Sequence, residues 1–243
     1  MTTLSQNDLD RMLQHIRSTA TITARFLRPL AGGQPAGDKG LAAFVEHWLK
    51  ISPDSPEFQQ AIDRIKNEEI GERETTPEAG EVQTETVYAV NVIRRGEHGP
   101  YVAEHQIKAM LKQAASRLGL FTAKKGSKGD VAEMGTVTAA GDSLQDPKRP
   151  WEIHLRKGGR AAATEFHSIS GSVGTPSGKK SIQHHTEVCE EGAEFCFKIE
   201  WPAKKLTATD MALVIAAASK IKLGSCLSLG YGLFEVMSME IDD

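Results

Sequence analysis

The clearest pattern along the chain is an alternation of apolar and polar positions from Thr19 to Arg28, TATITARFLR, where Ala20, Ile22, Ala24 and Phe26 fall on one side. A period of two predicts a strand with one buried face, and Pro29 with the following AGGQPAG ends it. Ahead of it, Leu9, Met12, Leu13 and Ile16 recur at helical spacing and predict a short amphipathic helix. Two further helices are predicted in DKGLAAFVEHWLK and SPEFQQAIDRIKNEE. The second carries Ser55 as N-cap, Pro56 at the first helical position and Glu57 beside the positive end of the helix dipole. The acidic GERETTPEAGE reads as an exposed connector, and ETVYAVNVIRR regains strand character.

Beyond the Gly99-Pro100 turn, a helix is predicted from about Ala103 to Leu118, with Ile107, Leu111, Ala114 and Leu118 on one stripe and His105, Lys108 and Lys112 on another. KKGSKGD and the segment to Pro150 read as flexible, and WEIHLRK as a strand with Trp151, Ile153 and Leu155 on one face. The stretch from Arg160 to Ser181 holds too little apolar material to join a core and is expected to protrude. IQHHTEVC, a turn at EEGA and EFCFKIEW predict a hairpin whose second strand aligns Phe195, Phe197, Ile199 and Trp201. A last helix starts at Thr207 or Thr209, carries Leu213, Ile215 and Ile221, and is expected to stop at Gly224; LFEVMSMEI closes the chain as a strand.

Without its insertions the order is strand, helix, strand, strand, helix, strand, the split βαβ arrangement of ferredoxin-like (RRM-like) domains. The expected fold is therefore α+β: an antiparallel sheet with helices on one face. The whole chain, 1–243, is taken as one domain, with a helical insertion over 30–85 and a thumb-like excursion over 160–190.

Charge changes this picture more than composition does. The formal net charge is only −3, yet residues 51–85 hold ten acidic and three basic side chains, and residues 94–180 hold fifteen basic and eight acidic. A bipolar molecule follows, suited to an anion on one face and to a neighbour's opposite charge on the other. Cys189, Cys196 and Cys226 have neither CxxC nor Cys/His ligand spacing, so no disulfide framework, metal or cofactor is expected and the thiols read as small buried hydrophobes. MTTLSQNDLDRMLQ has neither a basic start nor an apolar segment, and the longest apolar run, Met211 to Ala218, is too short to span a bilayer. The expected location is cytoplasmic, with no membrane partner.

Enzyme chemistry is not advertised. No nucleophile motif, HExxH or paired-carboxylate context occurs. His184 and His185 are adjacent on a predicted strand and point to opposite faces; His47 reads as a packing residue. Asp38, in the glycine-rich loop after the first long strand, is one carboxylate without partners and the weak catalytic candidate. RNA binding has the stronger case. The C-terminal KIKLGSCLSLGYGLFEV sets Gly224, Gly230 and Gly232 after a helix and before a strand, the reverse of a phosphate-cradling nucleotide loop. It suits a capped helix and tight turn, or a platform that another backbone approaches closely. Candidate RNA contacts are Arg25, Arg28, His105, Lys108, Lys112, Lys124, Lys125, Lys179 and Lys180 for phosphates, the platform of Gly224, Gly230 and Gly232, and Tyr231 as a stacking face.

Three segments together resemble the CRISPR-associated RAMP superfamily, specifically its guide-RNA-binding backbone subunits that assemble into filaments. GSCLSLGYGLFEV is similar to the family's C-terminal glycine-rich loop, "G-[YF]-G" and closing strand. PYVAEHQIKAMLKQAA is similar to its "Y-[IVL]-P-G-S-S-[LI]-[KR]-G" helix start, with Ala103, Glu104 and His105 in place of Gly-Ser-Ser. Phe166 to Ile199 resembles the thumb hairpin that returns through "G-x-x-F-x-F-x-[IV]", here Gly192, Phe195, Phe197 and Ile199. The resemblance implies a crRNA-coating subunit of an effector ribonucleoprotein. Its partners would be the guide RNA, neighbouring copies of itself, other effector subunits, and target RNA or DNA reached through guide pairing. It also carries an alternative, the RAMP endoribonuclease that processes guide precursors, which needs a histidine near Tyr or Lys; no histidine has that setting along the sequence.

Overall fold

The structure, a computed structural model, describes residues 17–36, 38–47, 49–67, 87–120, 135–140, 148–175, 178–203, 206–225 and 227–242. It is a mixed α+β fold with three sheets and four helices among those residues. β1 (Arg17–Phe26) occupies the middle of the main sheet, and its alternation is realised: Ala20, Ile22, Ala24 and Phe26 are all buried. It runs antiparallel to β13 (Glu194–Pro202) on one side, with Ile22 opposite Phe197. On the other side it pairs antiparallel with β14 (Phe234–Asp242), where the register shifts between Thr23 and Ala24. β13 in turn pairs antiparallel with β7 (Thr136–Ala139), giving the order β14-β1-β13-β7. At its Glu194 end β13 also meets the short β9 (Arg156–Lys157), which pairs with β10 (Arg160–Ala161).

The apolar face of this sheet is covered by α3 (Glu104–Arg117) and α4 (Ala208–Ile221), which also pack on each other. Ile107, Leu111 and Ala114 from the first helix and Met211, Val214 and Ala218 from the second join the strand residues in one core. Phe26 stacks on Phe195 at 4.9 Å and Phe234 meets Phe195 edge-on at 5.5 Å, contacts worth about 1 kcal/mol each beyond the area they bury. Thr207 caps α4: its hydroxyl accepts from the Asp210 backbone N–H while the Asp210 carboxylate accepts from the Thr207 N–H.

A second sheet is built on the hairpin of β11 (Thr164–Thr175) and β12 (Gly178–Cys189). β12 runs parallel to β4 (Val87–Val92) and antiparallel to the short β2 (Leu30–Ala31), and β4 pairs with β3 (Gln34–Pro35). A third sheet joins β5 (Arg94–Gly96), β6 (Gly99–Ala103) and β8 (Glu152–His154). α1 (Asp38–His47) and α2 (Pro56–Ile65), the latter capped by Ser55 as expected, bury Leu41, Val45, Ile62 and Ile65 with Val92 in a separate small core.

Several expectations are corrected. IQHHTEVC and EFCFKIEW do not pair: β12 and β13 belong to different sheets, because Gly192 (φ 83°) turns the chain and its N–H donates to Phe26 O at 2.9 Å. The segment expected to be flexible up to Pro150 contains β7, an edge strand of the main sheet. The Ser/Gly-rich stretch after Arg160 forms a continuous antiparallel ladder, since backbone pairing needs no apolar side chains. Leu118 and Leu213 face solvent at 42% and 53% exposure, and so does Trp151. α4 ends at Ile221 with Lys222, at φ 73°, making the left-handed turn assigned to Gly224. Asp38 is the first residue of α1 rather than a loop residue. Cys189 is buried as expected, with its thiol pushed up to about 12 by desolvation and then by Glu190 and Glu187, while Cys196 is half-buried. The predicted helix before Ile16, the acidic connector and KKGSKGD lie outside the described residues.

Candidate nucleic-acid interface

The glycine-rich loop docks by its backbone. Leu223 N–H donates to Gly232 O at 2.9 Å, Gly232 N–H to Pro29 O at 2.8 Å and Ser225 N–H to Ala31 O at 3.0 Å. A Cβ on Gly232 would lie 1.7 Å from Leu223 O, and one on Gly224 would lie 2.6 Å from Ala31 O, so both glycines permit a close approach. Gly230, at φ 94°, has open space around it. Lys222 Nζ donates to Leu227 O at 2.6 Å and ties the loop's short 3-10 turn, Leu227–Leu229, back to the helix end.

This loop, β2, β3, β5, α2 and the start of α3 enclose a cleft of about 630 Å³. Its floor is peptide backbone: a Cβ on Gly32 would lie 2.3 Å from the Val92 carbonyl carbon, and Gly33 and Gly224 continue the surface. Phe44, Ile65, Val92 and Leu223 supply apolar walls, and Arg64, Arg94, Gln34 and His105 supply polar ones. Arg94 Nη2 donates to Gln34 Oε1 at 3.0 Å. Desolvation, and after it the Arg94 charge, lowers the His105 imidazole below its ordinary range.

Of the expected contacts, His105 and Gly224 meet in this cleft. Lys108 and Lys112 follow His105 at helical spacing and extend the basic stripe away from its mouth. Partial burial, followed by the Lys108 charge, pushes the Lys112 ammonium down from its usual range. Arg25 is elsewhere, on the open face of the main sheet, where its Nε and Nη2 donate to Glu235 at 3.1 and 2.7 Å. That face is neutralised by further pairs, Arg17–Glu200 at 3.2 Å and Lys198–Asp242 at 3.8 Å. Arg28 is exposed just beyond β1. Lys124 and Lys125, and the side chains of Asp38, Lys179 and Lys180, lie outside the described residues.

Tyr231 leads to a residue that the sequence did not single out. His167 Nδ1 lies 3.3 Å from the Tyr231 hydroxyl, and His167 Nε2 lies 2.9 Å from Glu165 Oε1. A carboxylate, an imidazole and a phenol are thus in series where the β11 hairpin meets the glycine-rich loop. Chain separation hid this pair, just as it hid Gln34, Arg64 and Arg94. The only signal of Gln34 and Arg94 was polarity beside a glycine or a strand end, and that of Arg64 a positive charge in the last turn of α2.

Among the described residues no group of His, Cys, Asp or Glu has the arrangement of a metal site, and no helix is long and apolar enough to cross a membrane. No family model and no curated protein matches the chain. Among solved structures, the chain is similar, at a TM-score of 0.40 and 12% identity, to one from the cryo-EM structure of the Type III-B Cmr-beta bound to cognate target RNA. The match covers 97% of this chain and 64% of that one, so the chain spans less than two thirds of its neighbour's length.

Proposed function

We propose that the chain binds guide RNA as a backbone subunit of a CRISPR effector ribonucleoprotein, with repeated copies coating the RNA and presenting it for pairing with a target. The observation that carries this reading is the convergence of a glycine-floored cleft, the His105 end of α3 and the Lys108–Lys112 stripe on one side of the molecule. Basic side chains beside a glycine-lined cleft suit phosphate contacts without base selectivity. The order β14-β1-β13-β7, with α3 and α4 on one face, supports a ferredoxin-like core. Opposite net charges in residues 51–85 and 94–180 support head-to-tail contact between copies. The sequence resemblance to RAMP backbone subunits supports the effector assignment.

The test is binding of single-stranded RNA followed by fluorescence anisotropy from about 50 to about 200 mM salt. Binding is expected to weaken steeply. Replacing Lys108 and Lys112 by Glu should lower the salt slope by about 0.7 for each phosphate that is no longer neutralised and abolish assembly on RNA, with the circular dichroism spectrum unchanged. Affinity indifferent to salt, or undiminished RNA loading in that variant, removes the reading.

The His167–Tyr231 contact favours a second reading, processing of precursor guide RNA. One member of the series would take the proton from a ribose 2′-hydroxyl as its oxygen attacks the adjacent phosphorus. Another would protonate the departing 5′-oxygen as the P–O5′ bond breaks, leaving a cyclic phosphate. Incubation of a hairpin precursor RNA in chelator decides it: cleavage that His167→Ala abolishes supports processing, and an intact precursor removes it.

A further inference from the structure

Gln34 is 4% exposed and lies in the wall of the cleft, and its Nε2 has no hydrogen-bond partner among the described residues. Oε1 already accepts from Arg94, and reversing the amide would set donors against donors, so the NH2 end is the one left unpaired. A buried amide without a partner is costly to the fold unless something completes it. What completes it must bring an acceptor. Among the described residues that line the cleft, the basic side chains are Arg64, Arg94 and His105, and none is a carboxylate. Phe44, Ile65, Val92 and Leu223 supply apolar wall, including the Phe44 ring. An occupant therefore needs an apolar body, carbonyl-type acceptors on one edge and a negative group at one end. The cleft's 630 Å³ is ample for a single nucleotide and falls within the usual range of small-molecule sites.

We infer that the cleft receives one unstacked nucleotide, its base between the apolar walls with an oxo group on Gln34 Nε2 and its phosphate toward Arg64. A swing of the terminal amide, whose torsion is soft, closes the hydrogen bond. Because the protein edge offers donors, uracil and guanine, with their carbonyl oxygens, fit it better than adenine, whose exocyclic group is itself a donor. The α3 stripe starting at His105 leads from the cleft mouth, so a strand running along it is placed to drop one base inside. This deepens the RNA-binding reading, but the cleft can be tested without a strand.

The experiment is calorimetric titration of the full chain with uridine 5′-monophosphate, uridine, adenosine 5′-monophosphate and ribose 5-phosphate, repeated with Gln34→Leu, Gln34→Glu and Arg64→Ala. Uridine monophosphate is expected to bind at least tenfold tighter than ribose 5-phosphate and tighter than adenosine monophosphate. Gln34→Glu keeps the side-chain size, so it remains decisive if Gln34→Leu does not fold; it should weaken uridine monophosphate at least tenfold. Arg64→Ala should narrow the gap between uridine monophosphate and uridine. Ribose 5-phosphate binding as well as the nucleotide, adenosine monophosphate binding better, or Gln34→Glu changing nothing overturns the inference. So does failure of every nucleotide to bind, which would leave an acidic peptide as the occupant. Nucleotide binding by a chain that ignores single-stranded RNA would uphold the cleft and sink the RNA-coating function. RNA binding indifferent to the Gln34 variants, without mononucleotide binding, would do the reverse.

Discussion

Arg95 Nη2 sits 2.8 Å from Glu187 Oε1, an ion pair whose acid side chain is 1% exposed and whose base reaches solvent. Glu187 also accepts from the Thr164 hydroxyl at 2.7 Å and from the Ile93 backbone N–H at 2.9 Å. One carboxylate thus ties β12 to β11 and to the residue between β4 and β5. Glu187→Ala leaves a buried N–H and hydroxyl without their acceptor and should cost about 3 kcal/mol. The urea midpoint measures it. A decrease under about 0.5 kcal/mol, the level of an exposed pair, would mean that the clasp contributes nothing.

Two glycines of the same loop should respond differently. Gly230→Ala meets open space at φ 94° and should cost only the backbone strain, about 1 kcal/mol. Gly232→Ala, at φ 70° with Leu223 O in the way, must displace the loop, and its cost should exceed that of Gly230→Ala by about 2 kcal/mol or more. Equal melting temperatures for the two variants would contradict the docking of the loop on Pro29 and Leu223.

His154 makes stability depend on pH. Its side chain is 6% exposed, and desolvation, then the charges of His98 and Arg156, lower it from 6.5 to about 4. Glu152 Oε2, 3.5 Å away, does not reverse this, since Glu152 also pairs with Arg149 at 3.0 Å. Above pH 6.5 the imidazole is neutral folded or unfolded. Between 6.5 and about 4 only the unfolded chain takes up the proton, so stability falls with pH over that window and levels off below it. The decrease is at most about 3 kcal/mol. Urea unfolding at several pH values should show the slope in the parent and a smaller one in His154→Phe.

The sequence made legible what period and capping encode. β1 and β13 announce their buried faces through Ile22, Phe26, Phe195 and Phe197, and α2 and α4 start at Ser55 and Thr207, where cap chemistry puts them. β7 escaped because its four residues bury only Val137, too short a run to show a period. The pairing of β12 with β13 fails because two good strands around EEGA look alike whether they pair or part: β12's partner β11 lacks the apolar alternation that marks a strand, and β13's partner β1 is remote in the chain. Of the candidate interface, His105 and Gly224 were visible as a basic helix start and a loop glycine. Gln34, Arg64 and Arg94 gain meaning only from the cleft they share.

The glycine floor of that cleft has a consequence for how the protein can change over generations. Walls made of side chains are retuned by single substitutions, so an exposed wall residue such as Arg64 can drift toward a different occupant without disturbing the scaffold. Peptide groups packed as tightly as Gly32 on Val92 admit no such graded editing. Selection can repaint the sides of this receptacle, while its base stays as the backbone laid it down.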